Sequence, residues 1–124
     1  MAKILIVDDN LLACEAISLV LESAGHTVRQ AHRVAEALEM TRAAPPDLAI
    51  LDLSLPDGNG LDLVRDLEAL AADLPVILYS GYFSTDGESE KKLTETPGIV
   101  AVFRKPLRNA ELLSTIAQVL PSTR

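Results

Sequence analysis

Apolar and polar positions along this chain fall in blocks, and the blocks switch between two periods. AKILIV (2–7), HTVRQA (26–31), DLAILDL (47–53), LPVILYSG (74–81) and IVAVF (99–103) are short runs, either continuously apolar or alternating. Their length and β-branched content predict strands. Between them, LLACEAISLVLESAG (11–25), VAEALEMTRAA (34–44), LDLVRDLEALAAD (61–73) and AELLSTIAQVL (110–120) carry apolar residues at helical spacing. Gly25 suits the position just past a helix end, and Pro45-Pro46 stops the second helix. SLPDGNG (54–60) reads as a turn-rich loop. YFSTDGESEKKLTETPG (82–98) is polar and weakly periodic, and predicts at best a short, irregular helix.

Five strands alternating with helices predict an α/β fold. Mostly continuous apolar strands imply a parallel sheet with helices on both faces. For five strands the flavodoxin-like order 2-1-3-4-5 is the natural arrangement, and ligands then bind beyond the carboxyl ends of the strands where the winding reverses. That place is the crevice between the first and third strands.

Length and composition narrow the picture further. The 124 residues suit one domain spanning 1–124, and 48% hydrophobic content is enough for a sizeable core. No apolar run reaches eighteen residues, and no signal peptide is apparent, so no membrane role is expected. The single cysteine, Cys14, sits in an apolar helical pattern and reads as a buried structural thiol, compatible with a cytoplasmic location. A net charge of −7 and a pI near 4.7 argue against direct nucleic-acid binding.

Charged and polar residues gather at one edge of the predicted sheet. Asp8 and Asp9 end the first strand, Asp52 ends the third, Ser80 ends the fourth and Lys105 follows the fifth. Three carboxylates in one crevice repel one another, and a hard divalent cation relieves the repulsion. Mg²⁺ takes oxygen ligands, keeps several waters and commonly bridges one or two carboxylates to phosphate oxygens. Lys105 adds a point positive charge, Ser80 a hydroxyl donor, and one carboxylate can serve as a nucleophile forming an acyl phosphate.

The pieces ILIVDD, DLSLPDGNG, PVILYSG and FRKP, in this order and each at the end of its strand, resemble the receiver domain of two-component response regulators. The resemblance spans essentially the whole chain. It implies that Asp52 is the phosphoacceptor, that Asp9 and Asp52 ligate Mg²⁺ directly with the backbone carbonyl of Ser54, and that Asp8 acts mainly through water. It also implies that Lys105 pairs with the phosphoryl group, that Ser80 is the switch hydroxyl, and that the Lys105-Pro106 bond is cis. The implied donors are a sensor histidine kinase or a histidine phosphotransfer protein. The implied readout is a changed face around the fourth helix, fifth strand and fifth helix. That face would act on a downstream protein or a linked output domain, as a monomer or a phosphorylation-dependent dimer. Such a protein assists its own phosphorylation without being a multiple-turnover enzyme.

Some features depart from the family. The aromatic usual three residues before the lysine is Val102 here. Phe103 is next door, but strand alternation points it to the other face, so a core aromatic under the last helix is expected. Tyr82 is a candidate for gating access to Asp52, with an ordinary exposed tyrosine as the alternative. Segment 82–98 is expected to reorder on phosphorylation. His26 and His32 are expected to be surface or strand-end residues, and Asp57 an ordinary turn residue. No output domain is expected in this chain, which ends soon after the last helix. Two other readings remain open: a degenerate receiver used only for binding, and an aspartyl-nucleophile phosphatase. The phosphatase would want an acid two residues after its nucleophile, where this chain has Ser54.

Overall fold

In the computed structural model, the protein is a parallel sheet wrapped on both faces by helices. The structure describes residues 2–52, 54–55, 58–80, 98–104 and 108–120, with backbone alone at 54–55, 58–61, 80 and 104. The sheet strands are β1 (Lys3–Val7), β2 (Thr27–Ala31), β3 (Leu48–Asp52), β6 (Val76–Ser80) and β7 (Ile99–Arg104). Two short strands, β4 (Ser54–Leu55) and β5 (Gly58–Asn59), form a separate antiparallel pair. The helices among the described residues are α1 (Leu11–Ser23), α2 (Val34–Ala43), α3 (Gly60–Leu70) and α4 (Asn109–Val119).

The five-stranded sheet has the order β2-β1-β3-β6-β7, all parallel, which is the expected 2-1-3-4-5 arrangement. Every residue of β3 is buried, and so are the last four of β1. This follows from strands covered on both faces. Alternation divides the core in two. Ile4, Ile6, Ile50 and Ile77 pack with α1 and α4 through Cys14, Leu21, Leu112 and Ile116. Leu5, Val7, Leu51 and Leu78 pack with α2 and α3 through Ala37, Leu63 and Leu67. No described helix is long and apolar enough to cross a membrane.

The ends of α1 show how local chemistry sets the frame. Asn10 is its N-cap, and the Asn10 Oδ1 accepts from the Ala13 N–H at 3.1 Å. At the other end, the Gly25 N–H donates to the Glu22 carbonyl and the His26 N–H to the Leu21 carbonyl, at 3.0 and 3.1 Å. This paired closure needs a left-handed residue, which Gly25 supplies at φ 97°. The chain then turns directly into β2.

Three boundaries differ from expectation. The helix expected over 61–73 stops at Leu70, and Asp73 takes a positive φ of 64°. The strand expected over 74–81 begins at Val76, because Leu74 bonds back to Ala71 and Pro75 has no N–H to give. The 54–60 loop carries the β4–β5 pair, with Ser54 opposite Asn59 and Leu55 opposite Gly58. The irregular helix expected within 82–98 falls on residues outside those described, save Gly98 at its end.

Candidate functional site

The first strand runs into its carboxylates at the carboxyl edge of the sheet, where protein donors meet the first of them. Asp8 continues β1: its N–H donates to the Ala31 carbonyl on β2 at 3.0 Å. By alternation its side chain falls on the α1/α4 face, with Ile4 and Ile6. There Asp8 is fully buried, and Asp8 Oδ1 accepts from the Asn10 N–H at 2.9 Å. Its other oxygen, Oδ2, accepts from the Tyr79 hydroxyl. The Asp8 carbonyl in turn accepts from the Cys14 thiol at 3.3 Å. Asp9 follows at the surface.

Asp52 closes β3 on the same face and is only 5% exposed. The neighbouring strand register joins Val7 to Leu51, so the carboxyl ends of β1 and β3 finish side by side. Asp8, Asp9 and Asp52 each bring a carboxylate oxygen to within 4.8 Å of the others. The donor set is all oxygen, two of its members are buried, and one opens to solvent. Such a set fits a hard cation that keeps several waters, as Mg²⁺ does. Asp52 and Asp9 would hold it, with Asp8 behind them already engaged by protein donors.

The remaining expected site residues divide by what the structure describes. The Ser54 backbone begins β4, two residues beyond Asp52. The Ser80 backbone ends β6 and pairs with Arg104 at the end of β7. Lys105, the Lys105-Pro106 bond, Asp57 and Tyr82 lie outside the described residues. Val102 packs into the α2/α3 core, and Phe103 packs on the opposite face with Leu112 and Ile116 of α4. A register shift accompanies this: Val76 pairs with Ile99, but Ile77 pairs with Ala101. The extra residue, Val100, is a bulge upstream of both. It leaves Val102 and Phe103 on opposite faces, so Phe103 does not stand in for the missing aromatic.

Among the histidines, His26 accepts from the Ala2 N–H through Nδ1 at 3.2 Å, and burial pulls its pKa below 6.5. His32 follows the end of β2 and approaches Glu36 at 3.8 Å. Neither joins the acidic cluster. Cys14 is buried, and its thiol is pushed up to about 12, first by burial and then by the nearby Asp8 charge. It is a structural group, as expected.

Two residues of the site went unseen in the sequence. Asn10 was legible in principle: an asparagine immediately before an apolar helical run is a standard N-cap signal. Tyr79 was harder to see. It shares strand parity with Ile77 and lies one residue before the end of its strand, beside Asp52, so a buried hydroxyl in need of a partner was predictable. That the partner would be Asp8, 71 residues away, was not. Burial first, and then the bond to Asp8, push the Tyr79 hydroxyl well above its ordinary pKa, so it remains a donor.

Comparison with known proteins agrees with this geometry. The profile of the response regulator receiver domain matches residues 4–117. The response regulator MprA of Mycobacterium ulcerans is 33% identical over 98% of this chain, which spans about half (51%) of that protein. Protein PilH of Pseudomonas aeruginosa is 32% identical, covering 97% of this chain and 98% of its own length. Among solved structures, a CheY-like receiver domain protein from Methanospirillum hungatei superposes with a TM-score of 0.88 at 28% identity. It covers 98% of this chain and 94% of its own. With the fold, the paired strand ends and the acidic crevice in agreement, this chain belongs to the response regulator receiver domain family.

Proposed function

We propose that the chain is a phosphoacceptor switch and that Asp52 carries the phosphoryl group. The observation that carries this reading is the convergence of Asp8, Asp9 and Asp52 at the carboxyl edge of β1 and β3. A carboxylate oxygen of Asp52 attacks the phosphorus of a phosphohistidine. The new O–P bond forms as the donor's N–P bond breaks, and the departing imidazole nitrogen takes up a proton. Asp52 suits this role because β3, buried along its whole length, holds it on a rigid element at the crevice. Mg²⁺, when bound, neutralises charge on the transferring phosphoryl oxygens. Asp9 and Asp52, with the Ser54 backbone carbonyl, would hold that ion, and Asp8 would act through water because both its oxygens already accept from protein donors.

Lys105 pairs with the phosphoryl oxygens and Ser80 donates its hydroxyl to them after transfer. The surface built on β7 and the last helix then favours a partner protein or a linked output domain. Val102 is anchored in the α2/α3 core, so the signal travels without an aromatic at that position. The donor is a histidine kinase or a phosphotransfer protein in the cytoplasm. The domain resets by hydrolysis, and it turns over no external substrate.

The test is intact mass after incubation with Mg²⁺ and acetyl phosphate. A single phosphoryl adduct, lost in Asp52→Asn and on chelation, is the expected result. An adduct of equal yield in Asp52→Asn would refute the assignment.

A further inference from the structure

We propose that Tyr79 is a positioning residue for the metal site: its hydroxyl reaches across the strand of Asp52 to hold Asp8 in place. The inference rests on the metal-site reading above and adds to it a residue outside the acidic cluster. β1 and β6 are not neighbours, because β3 lies between them. Two strand spacings separate them, roughly 9–10 Å. A serine or leucine at position 79 could not span that gap with a polar atom, whereas a tyrosine can. The hydroxyl donates to Asp8 Oδ2 above the end of β3, where Tyr79 and Asp52 are register partners.

The consequence is a carboxylate with no freedom to turn. Asp8 is fully buried, and its two oxygens accept from two donors fixed by different elements, the Asn10 N–H at the start of α1 and the Tyr79 hydroxyl on β6. A carboxylate offers about four acceptor positions, so Asp8 retains capacity for waters on a neighbouring cation. Holding the acidic cluster in its binding arrangement before the ion arrives spares the ordering cost at binding. Outer-shell partners that orient metal-site groups in this way are commonly worth 10- to 100-fold in affinity.

The experiment compares Mg²⁺ titrations by calorimetry for wild type and Tyr79→Phe, which removes the hydroxyl and keeps the ring. We expect Mg²⁺ affinity to fall about tenfold in Tyr79→Phe. With acetyl phosphate, the Mg²⁺ concentration for half-maximal labelling should rise by the same factor while the rate at saturating Mg²⁺ is retained. An unchanged affinity would make Tyr79 a packing residue only. A tighter one would make its hydroxyl a competitor of the ion. Either overturns the proposal while leaving the metal site standing. Wild type that binds no Mg²⁺ would overturn the metal-site reading itself. The chain has two tyrosines and no tryptophan, so Tyr82→Phe leaves Tyr79 as the sole tyrosine or tryptophan fluorophore. Its emission reports the bond to Asp8, so Asp8→Asn in that background should change it without metal, and emission unchanged by Asp8→Asn would contradict the proposal even if Tyr79→Phe failed to fold.

Discussion

Replacing Asp52 with asparagine should stabilise the metal-free protein while abolishing phosphorylation. Asp8 and Asp52 are both buried, and their carboxylate oxygens lie within 4.8 Å. Two unit charges at that separation repel by about 3.5 kcal/mol at an effective dielectric of about 20. Asp9 adds to the repulsion, but it is exposed and screened. The other interactions of Asp52, and relaxation of the cluster, offset part of the gain. The expected net stabilisation is therefore about 1–2 kcal/mol. Asparagine has nearly the same volume, so no cavity or strain enters the comparison. The assay is urea unfolding of both proteins in EDTA, read at equal m-values so that the midpoint reports stability alone. Mg²⁺ should then stabilise wild type, by about 2.7 kcal/mol at a hundredfold excess over Kd, and Asp52→Asn much less. An Asp52→Asn protein less stable than wild type in EDTA would refute the claim that the site is built on carboxylate repulsion.

Other expectations follow from single contacts. Thr41 on α2 is fully buried, and among the described residues its Oγ1 finds no hydrogen-bond partner. Thr41→Val should therefore raise stability by about 1 kcal/mol in thermal or urea unfolding, and a loss would show that the hydroxyl is satisfied. Asn10→Ala removes the α1 cap and should cost about 1 kcal/mol in the same assays; no change would mean that the bond to Ala13 contributes nothing. Burial lowers the His26 pKa, and Nδ1 accepts from the Ala2 N–H. Its folded pKa lies below its unfolded value of 6.5, so its contribution is complete above that pH and is lost as pH falls through the folded pKa. Wild type should lose stability more steeply than His26→Gln on acidification below about pH 6.5, and parallel profiles would contradict this.

Much of this arrangement was legible in the sequence, for identifiable reasons. ILIV and LAIL are buried on both faces, so their strands announce themselves without regard to neighbours. Gly25 is needed at φ 97°, and the chain shows a glycine there. Once alternation implied the sheet order, the position of Asp8, Asp9 and Asp52 at strand ends was enough to bring them together. What escaped depends on contacts that no local pattern encodes. Strands of two residues, such as β4 and β5, have no period to detect. The bulge at Val100 is one extra residue inside an apolar run, visible only against its partner strand. The Tyr79 bond to Asp8 joins two non-adjacent strands, and only the folded sheet shows that its length fits.

The central claim is an acyl phosphate on one residue, and its most direct measurement is the position of the adduct. The protein is incubated with Mg²⁺ and acetyl phosphate, then treated with borohydride, which reduces an acyl phosphate to the alcohol. Reduction turns a phosphorylated aspartate into homoserine. The tryptic peptide 43–65 holds four aspartates, Asp47, Asp52, Asp57 and Asp62, which fragmentation in the mass spectrometer distinguishes. Homoserine at position 52 alone is the predicted result. Homoserine at Asp8, Asp9 or any other aspartate, with Asp52 intact, would contradict the account.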